Sequence, residues 1–369
     1  MTKIGKYDLL EGIGRGAMGV VWKARDPVLG RLVALKMIED PDPEVRTRFV
    51  QEARSAGKLS HGNIVTIYEL GEDRGRFYIA MEFLEGEDLK TKLASGSPMT
   101  LEEKLYIMTD VASGLAHAHE MQVIHRDIKP ANIFVTNRGE VKVLDFGLAH
   151  VASNRITKTG AVLGTPSYMS PEQVRGLKVD RRSDVFSLGA VCYELACGRK
   201  AFPGATVAQT FYQILHEQPA PFEELVPGTS AGLGAVVSRA MEKNPAARQA
   251  SVDVLLHDLR RCRESIDEKK REIRSEVREH GAAVAKLRRE QEDALETDPE
   301  LESIFSRLEA ALTLEPGESL HPLDELRGRW ERIQADEALL SERLEREPQS
   351  PRKASTRLKG IFSAFGKSP

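Results

Sequence analysis

The chain has 369 residues, 41% hydrophobic, 6% aromatic and 30% charged, which is enough apolar material for one large domain with an appendage. With 53 Lys+Arg against 56 Asp+Glu the formal charge is -3, so a polyanion-coating role with nucleic acid as partner is excluded as the general mode. Three cysteines, Cys192, Cys197 and Cys262, are too few and too scattered for a four-cysteine zinc site or a secreted disulfide framework. The start, Met1 to Lys6, has no apolar signal core, and no run reaches the ~18 uncharged apolar residues of a membrane span, so a cytoplasmic location is expected.

Near the N-terminus, Ile13 leads into Gly14-Arg15-Gly16-Ala17-Met18-Gly19-Val20-Val21. Missing side chains at the glycines let backbone N–H groups approach phosphate oxygens, although an ordinary glycine-containing hairpin has the same look. Leu32 to Ile38 reads as a strand carrying Lys36 near its end, and Glu52 sits in the helical stretch Arg48 to Leu59. An ion pair between the two would fix the ammonium, while each alone reads as a surface charge. A second strand, Phe77 to Met81, runs into Glu82-Phe83-Leu84. Then come His125-Arg126-Asp127-Ile128-Lys129-Pro130-Ala131-Asn132 and, after a short strand pair, Asp145-Phe146-Gly147.

Taken in this order and spacing, these motifs resemble the eukaryotic-type (Hanks-type) protein kinases, specifically the bacterial Ser/Thr kinases of that family, over about residues 7 to 261. The resemblance implies an α+β, two-lobed protein-kinase fold, with an N-lobe to about residue 83, a C-lobe from about 84 to 261 and a helical extension beyond. It also implies ATP and Mg²⁺ as cofactors and protein substrates as partners. By the same resemblance the backbone from Ile13 to Val21 covers the phosphates, Lys36 holds the α/β-phosphates and Glu52 orients it. Met81 stands at the gatekeeper position, and the backbone of Glu82 and Leu84 reads adenine. Asp127 accepts or orients the substrate hydroxyl proton and Lys129 neutralises charge on the γ-phosphate, while Asn132 and Asp145 supply hard oxygen ligands for Mg²⁺.

Lys129 in Lys129-Pro130-Ala131-Asn132, and Thr165 in Gly164-Thr165-Pro166, resemble the Ser/Thr-specific form. Glu172, in Ser170-Pro171-Glu172, is expected to pair with Arg248, and Asp184 to hold the backbone of the catalytic loop. Ser170 and Gly62, where relatives often have alanine and proline, depart mildly from the pattern. Arg126 is expected to meet a phosphate on Thr157 or Thr159, with Ser153 a further candidate.

From Cys262 the pattern changes to charged helix, in three stretches: Cys262 to Glu296, Pro299 to Leu314 and Pro322 to Glu347. Leu301, Ile304, Phe305, Leu308 and Leu312 share one face of the second, and Leu323, Leu326, Trp330, Ile333, Leu340 and Leu344 one face of the third. Both faces need covering, either by helical self-association or by other partners. Residues 290–347 carry 6 Lys+Arg and 18 Asp+Glu, whereas the tail from 348 to 369 is basic, with Arg352, Lys353, Arg357, Lys359 and Lys367. In that tail Leu358, Ile361, Phe362 and Phe365 fall on one helical face, which suits peripheral contact with an anionic membrane, and Gly360 and Gly366 favour a disordered tail instead.

The sequence thus reads as an enzyme that phosphorylates Ser/Thr hydroxyls of proteins in signalling. Its rivals are a nucleotide-binding pseudokinase scaffold, which the presence of Lys36, Asp127 and Asp145 disfavours, and a small-molecule phosphotransferase, which the Thr165 and Glu172 segments disfavour.

Overall fold

The structure is a computed structural model that describes residues 3–16, 19–38, 43–146, 166–222, 231–290, 298–313 and 323–346. Two compact units are present, 1–262 and 263–369.

The first unit opens with one antiparallel sheet of β1 (Lys3–Ile4), β2 (Tyr7–Gly16), β3 (Gly19–Arg25), β4 (Leu32–Ile38), β5 (Ile67–Asp73) and β6 (Arg76–Glu82), in the order β1-β2-β3-β4-β6-β5. Period-two alternation explains how this sheet presents its lysine. Along β4, Val33, Leu35 and Met37 point to one face, where they pack with Tyr7, Tyr78 and Ala80. Ile38 points to the other face, against Ile79 and against Phe49 and Ala53 of α1 (Pro43–Ala56). Lys36 shares the parity of Ile38 and lies opposite Ile79 on β6, so the ammonium projects to the α1 side. Glycine is required at position 19 by packing: its φ is +152° and a Cβ there would come within 1.7 Å of the Met37 carbonyl oxygen.

The helical part begins with β7 (Gly86–Asp88), α2 (Leu89–Ala94) and α3 (Leu101–Glu120). The last of these starts on a capping box: Thr100 accepts from Glu103 N, and Glu103 accepts from Thr100 N. A second antiparallel sheet joins β7 to β8 (Ile133–Thr136) and β9 (Val141–Val143), with the turn Pro130–Asn132 leading into β8. Next come α4 (Pro171–Val174), α5 (Arg181–Cys197), α6 (Val207–His216) and α7 (Ala231–Ala240). Most residues of α5 are buried, Val185, Phe186, Leu188 and Val191 among them, so this helix is the spine on which the others pack. Its N-cap is Asp180, which accepts from Arg182 N; Asp184 lies a turn further in.

The next helix, α8, runs Val252–Glu290. It starts ten residues before the Cys262 expected from the charge pattern, because Ser251 Oγ accepts from Val254 N and Val252, Leu255 and Leu259 already bury an apolar face. In the second unit, α9 (Pro299–Leu312) and α10 (Leu323–Arg346) pack with the later turns of α8. Leu301, Ile304, Phe305, Leu308 and Leu312 are buried, as are Leu326, Ile333 and Leu340. The face of α9 expected to need a partner, and Leu326, Ile333 and Leu340 of the face of α10, therefore lie covered within one chain. Arg288 of α8 pairs with Glu302 and Glu309, and Arg307 with Asp336 at 2.8 Å. His280 meets Glu337 at 2.6 Å in the interior. The basic tail lies outside the described residues.

Candidate active site

Asp184 is the origin of the site's geometry. Fully buried on α5, its carboxylate accepts from the backbone N–H groups of His125 and Arg126, both at 2.8 Å, and from His119 Nε2 at 2.8 Å. Burial pushes this carboxyl up, and the His119 hydrogen bond and charge bring it below its ordinary value. Arg126 holds a left-handed φ of +68°, a conformation that persists in a non-glycine residue only when its surroundings over-determine it. They do so here, since Asp184 takes its N–H and Gln173 Nε2 donates to its carbonyl at 2.8 Å.

The turned backbone then presents Asp127. Lys129 Nζ donates to Asp127 Oδ2 at 2.7 Å, and Asn132 Nδ2 donates to the same oxygen at 3.0 Å and to the Asp127 carbonyl at 2.8 Å. His125 links this loop to the strand that follows β8: its Nδ1 accepts from Asp127 N at 3.2 Å and its Nε2 donates to the Leu144 carbonyl at 2.8 Å. Leu144 N in turn donates to the Asn132 carbonyl at 2.9 Å. Asp145 is the next residue, and it also has a positive φ, +57°.

Across the cleft Lys36 Nζ donates to Asp145 Oδ1 at 2.6 Å, with the lysine side chain 12% exposed and the aspartate 33%. Desolvation works to raise the Asp145 carboxyl, and the charge and hydrogen bond of Lys36 hold it below the ordinary carboxylate value. Behind this pair is a pocket bounded by Ala53, Ile64, Ile79, Met81 and Phe146. Five expected residues of the transfer chemistry thus converge through two linked groups, Lys36 with Asp145 and Asp127 with Lys129 and Asn132.

The glycine-rich segment is a strand pair, with Gly14 opposite Val21, Arg15 opposite Val20 and Gly16 opposite Gly19. Ile13, Gly14 and Arg15 are exposed, while Val20 and Val21 are half-buried; Ala17 and Met18 lie outside the described residues. Glu52 is on α1, and its side chain lies outside the described ones, as do Thr157, Thr159, Ser153 and Thr165 altogether. Glu82 and Leu84 are half-buried between the sheets. One expectation changes here: Glu82 N already donates to the Thr66 carbonyl at 2.9 Å, so reading of a base by this residue would fall to its carbonyl. Glu172 pairs with Arg248 through two bonds, at 2.8 and 2.9 Å, and accepts from Ser183 Oγ at 2.5 Å. Burial works to raise Glu172, and Arg248 brings it below its ordinary value of 4.5.

The donor set suits a hard cation held between protein and phosphates. Asn132 turns its amide nitrogen to Asp127 and so offers its oxygen elsewhere, and Asp145 is kept ionised. No group of three or more His, Cys, Asp or Glu side chains among the described residues forms a cation site of its own. His119 and Gln173 were not singled out by sequence reasoning. Gln173 had a readable signal as the fourth residue of the capping box begun by Ser170. His119 had none to distinguish it from His117.

Residues 7–259 match the protein kinase domain family. A probable serine/threonine-protein kinase of Corynebacterium efficiens is 41% identical over 268 residues, covering 69% of this chain and 41% of that protein. The serine/threonine-protein kinase PknB of Mycobacterium tuberculosis is 40% identical over 264 residues, 69% of this chain and 42% of its own. The serine/threonine-protein kinase PrkC of Bacillus subtilis is 38% identical over 260 residues, 69% and 40% respectively. The chain therefore spans about two fifths of the length of these curated relatives.

Proposed function

The chain belongs to the protein kinase family, and from that premise we propose that it transfers the γ-phosphoryl group of ATP to serine or threonine hydroxyls of proteins. The observation that carries this reading is the convergence of Lys36 and Asp145, 2.6 Å apart, with Asp127, Lys129 and Asn132 in the same cleft. Phosphoryl transfer needs positioning and cation placement more than covalent help from the protein. Lys36 binds and orients the α- and β-phosphates of the substrate ATP. Asp127 accepts the hydroxyl proton, with Asn132 and Lys129 fixing which oxygen faces the acceptor. Lys129 adds positive charge where the transferred group becomes most exposed. Mg²⁺, for which Asn132 and Asp145 offer oxygens, supplies charge neutralisation on the phosphates. The acceptor class rests on Lys129 and on the names of the relatives.

The test compares wild type with Asp127→Asn in the presence of Mg²⁺ and labelled ATP, followed by phosphoamino-acid analysis. Wild type should label serine or threonine, and the variant should lose about a hundredfold to ten-thousandfold in rate. Equal labelling in both, or none in wild type, would refute the reading.

Regulation belongs to the same proposal. Arg126 Nε is buried with no hydrogen-bond partner among the described residues, which favours an anion arriving beside it. A phosphate on Thr157 or Thr159 would bring a charge of about -1.5 to -2. Mass spectrometry of active protein should find one of these threonines modified, and active protein with neither modified counts against it. For the tail, 352–369, we retain contact with an anionic membrane as the finer reading, supported by its five basic residues and the face of Leu358, Ile361, Phe362 and Phe365. Deleting 352–369 should lower co-sedimentation with anionic liposomes. The face of α9 and the residues Leu326, Ile333 and Leu340 of α10 are buried within one chain, which lessens the support for helical self-association through them.

A further inference from the structure

The segment from His61 to Thr66, between α1 and β5, is bonded to two places at once. Toward β9 it is held by Val143 N donating to the Asn63 carbonyl at 2.8 Å, Val65 N to the Val143 carbonyl at 3.1 Å, and Asn63 Nδ2 to the Val141 carbonyl at 3.1 Å. Toward the connection between the sheets it is held by Glu82 N donating to the Thr66 carbonyl at 2.9 Å and by Thr66 N donating to Glu82 Oε2 at 3.3 Å. The third side of this triangle is a single contact. Lys142 of β9, a buried lysine, reaches Glu82 Oε2 at 3.2 Å.

We propose that Lys142 is a positioning residue that clasps the connection between the lobes, through Glu82, to the strand leading into Asp145, and so sets how readily the lobes part to release nucleoside diphosphate. The proposal rests on the kinase reading of the cleft. The side toward β9 has two backbone bonds and one from the Asn63 side chain, the side toward the connection has one backbone bond and one to the Glu82 carboxylate, and the Glu82–Lys142 side is one side-chain ion pair. Rotation of the lobes about residues 82–84 must break whichever side is weakest, and a lone, partly exposed ion pair is weaker than two or three hydrogen bonds made together. Lys142 is three residues from Asp145 along the chain, so the clasp holds the strand that leads into the residue meeting Lys36. A lysine packed to 9% exposure on a short sheet also gives up much of its hydration, which a carboxylate partner offsets and solvent-facing roles do not require.

Product release limits turnover in many enzymes of this kind of closure. Losing a contact of this strength should speed release by about threefold. The experiment is stopped-flow displacement of a fluorescent ADP from the full chain, run beside single-turnover phosphoryl transfer, for wild type, Lys142→Met, Lys142→Arg and Glu82→Gln. Release should quicken in Lys142→Met and in Glu82→Gln, return to the wild-type rate in Lys142→Arg, and be no faster in the Lys142→Met, Glu82→Gln double variant than in either single one. The single-turnover rate of Lys142→Met should match wild type, a split that general damage to the fold would not produce. Unchanged release in Lys142→Met, or fully additive effects in the double variant, would overturn the clasp while leaving the kinase reading intact. If Lys142→Met does not fold, Glu82→Gln decides by the same criterion. A wild-type chain that binds no ADP would remove the kinase reading and the clasp with it.

Discussion

Arg248 shows how much one side chain can carry. Its guanidinium is fully buried, bonded to Glu172 and to the Arg182 and Glu242 carbonyls, and stacked 5.0 Å from the Phe186 ring. Truncating it leaves a nearly buried carboxylate without its counter-charge, so Arg248→Ala should lower stability by about 3–5 kcal/mol in urea unfolding. Pairing it with Glu172→Gln should recover part of that loss, because the stranded charge is then gone. The residues proposed to bear the chemistry could be read from the sequence because phosphoryl transfer demands particular functional groups, a fixed ammonium, metal-binding oxygens and a proton acceptor, at separations a motif can encode. Those that hold the chemistry in place could not. Gln173 and His119 act on a backbone carbonyl and a buried carboxylate brought close only by folding, 47 and 65 positions away in the chain. The same is true of Lys36 and Asp145, whose contact spans 109 positions.

At the scale of elements, strands were read from period two and helices from their caps. Leu32 to Ile38 emerges as β4 with those limits because both of its faces are buried. The start of α8 was missed because charge composition changes at Cys262 while the apolar period and the Ser251 cap begin earlier. Caps rather than composition should therefore set helix stability at the ends. Asp298 caps α9 by accepting from Glu300 N at 3.0 Å and Leu301 N at 3.2 Å, and it also accepts from Arg343 Nε of α10 at 2.8 Å. Asp298→Ala should cost about 1 kcal/mol or somewhat more, read as a lower unfolding midpoint of the full chain. In the core of the same unit, Leu308→Ala should cost about 2–5 kcal/mol, since that side chain is fully buried. If Leu308→Ala were neutral, the packing of α9 on α10 would be wrong.

For the molecule as a whole, stability should fall in two stages as pH is lowered. His61 is stacked on His117 at 5.2 Å, and its Nδ1 accepts from Asn63 N at 3.0 Å. Burial first, and then the charge of His117, lower its pKa from the ordinary 6.5. The unfolded chain thus binds a proton at higher pH than the folded one. Stability is complete above about 6.5, declines as pH falls from there to the folded value, and is level below it. Glu172, Asp184 and Asp145 are also lowered, each against the opposing pull of burial. For these carboxylates the contribution is whole above their unfolded values and is lost as pH falls through the folded ones, which gives the second stage. His61→Asn, which keeps an acceptor for Asn63 N, should erase the first stage in urea midpoints measured against pH and leave the second.

Among the described residues no helix is long and apolar enough to cross a membrane. The cleft poses the sharper question, because Lys36 pairs with Asp145 at 2.6 Å. A crystal structure of the chain with Mg²⁺ and a non-hydrolysable ATP analogue measures directly whether that pair belongs to a phosphoryl-transfer site. Lys36 should be found on phosphate oxygens, with Asn132 and Asp145 on the metal and Asp127 open to an incoming hydroxyl. An analogue bound away from these side chains, with Lys36 still on Asp145, would contradict it.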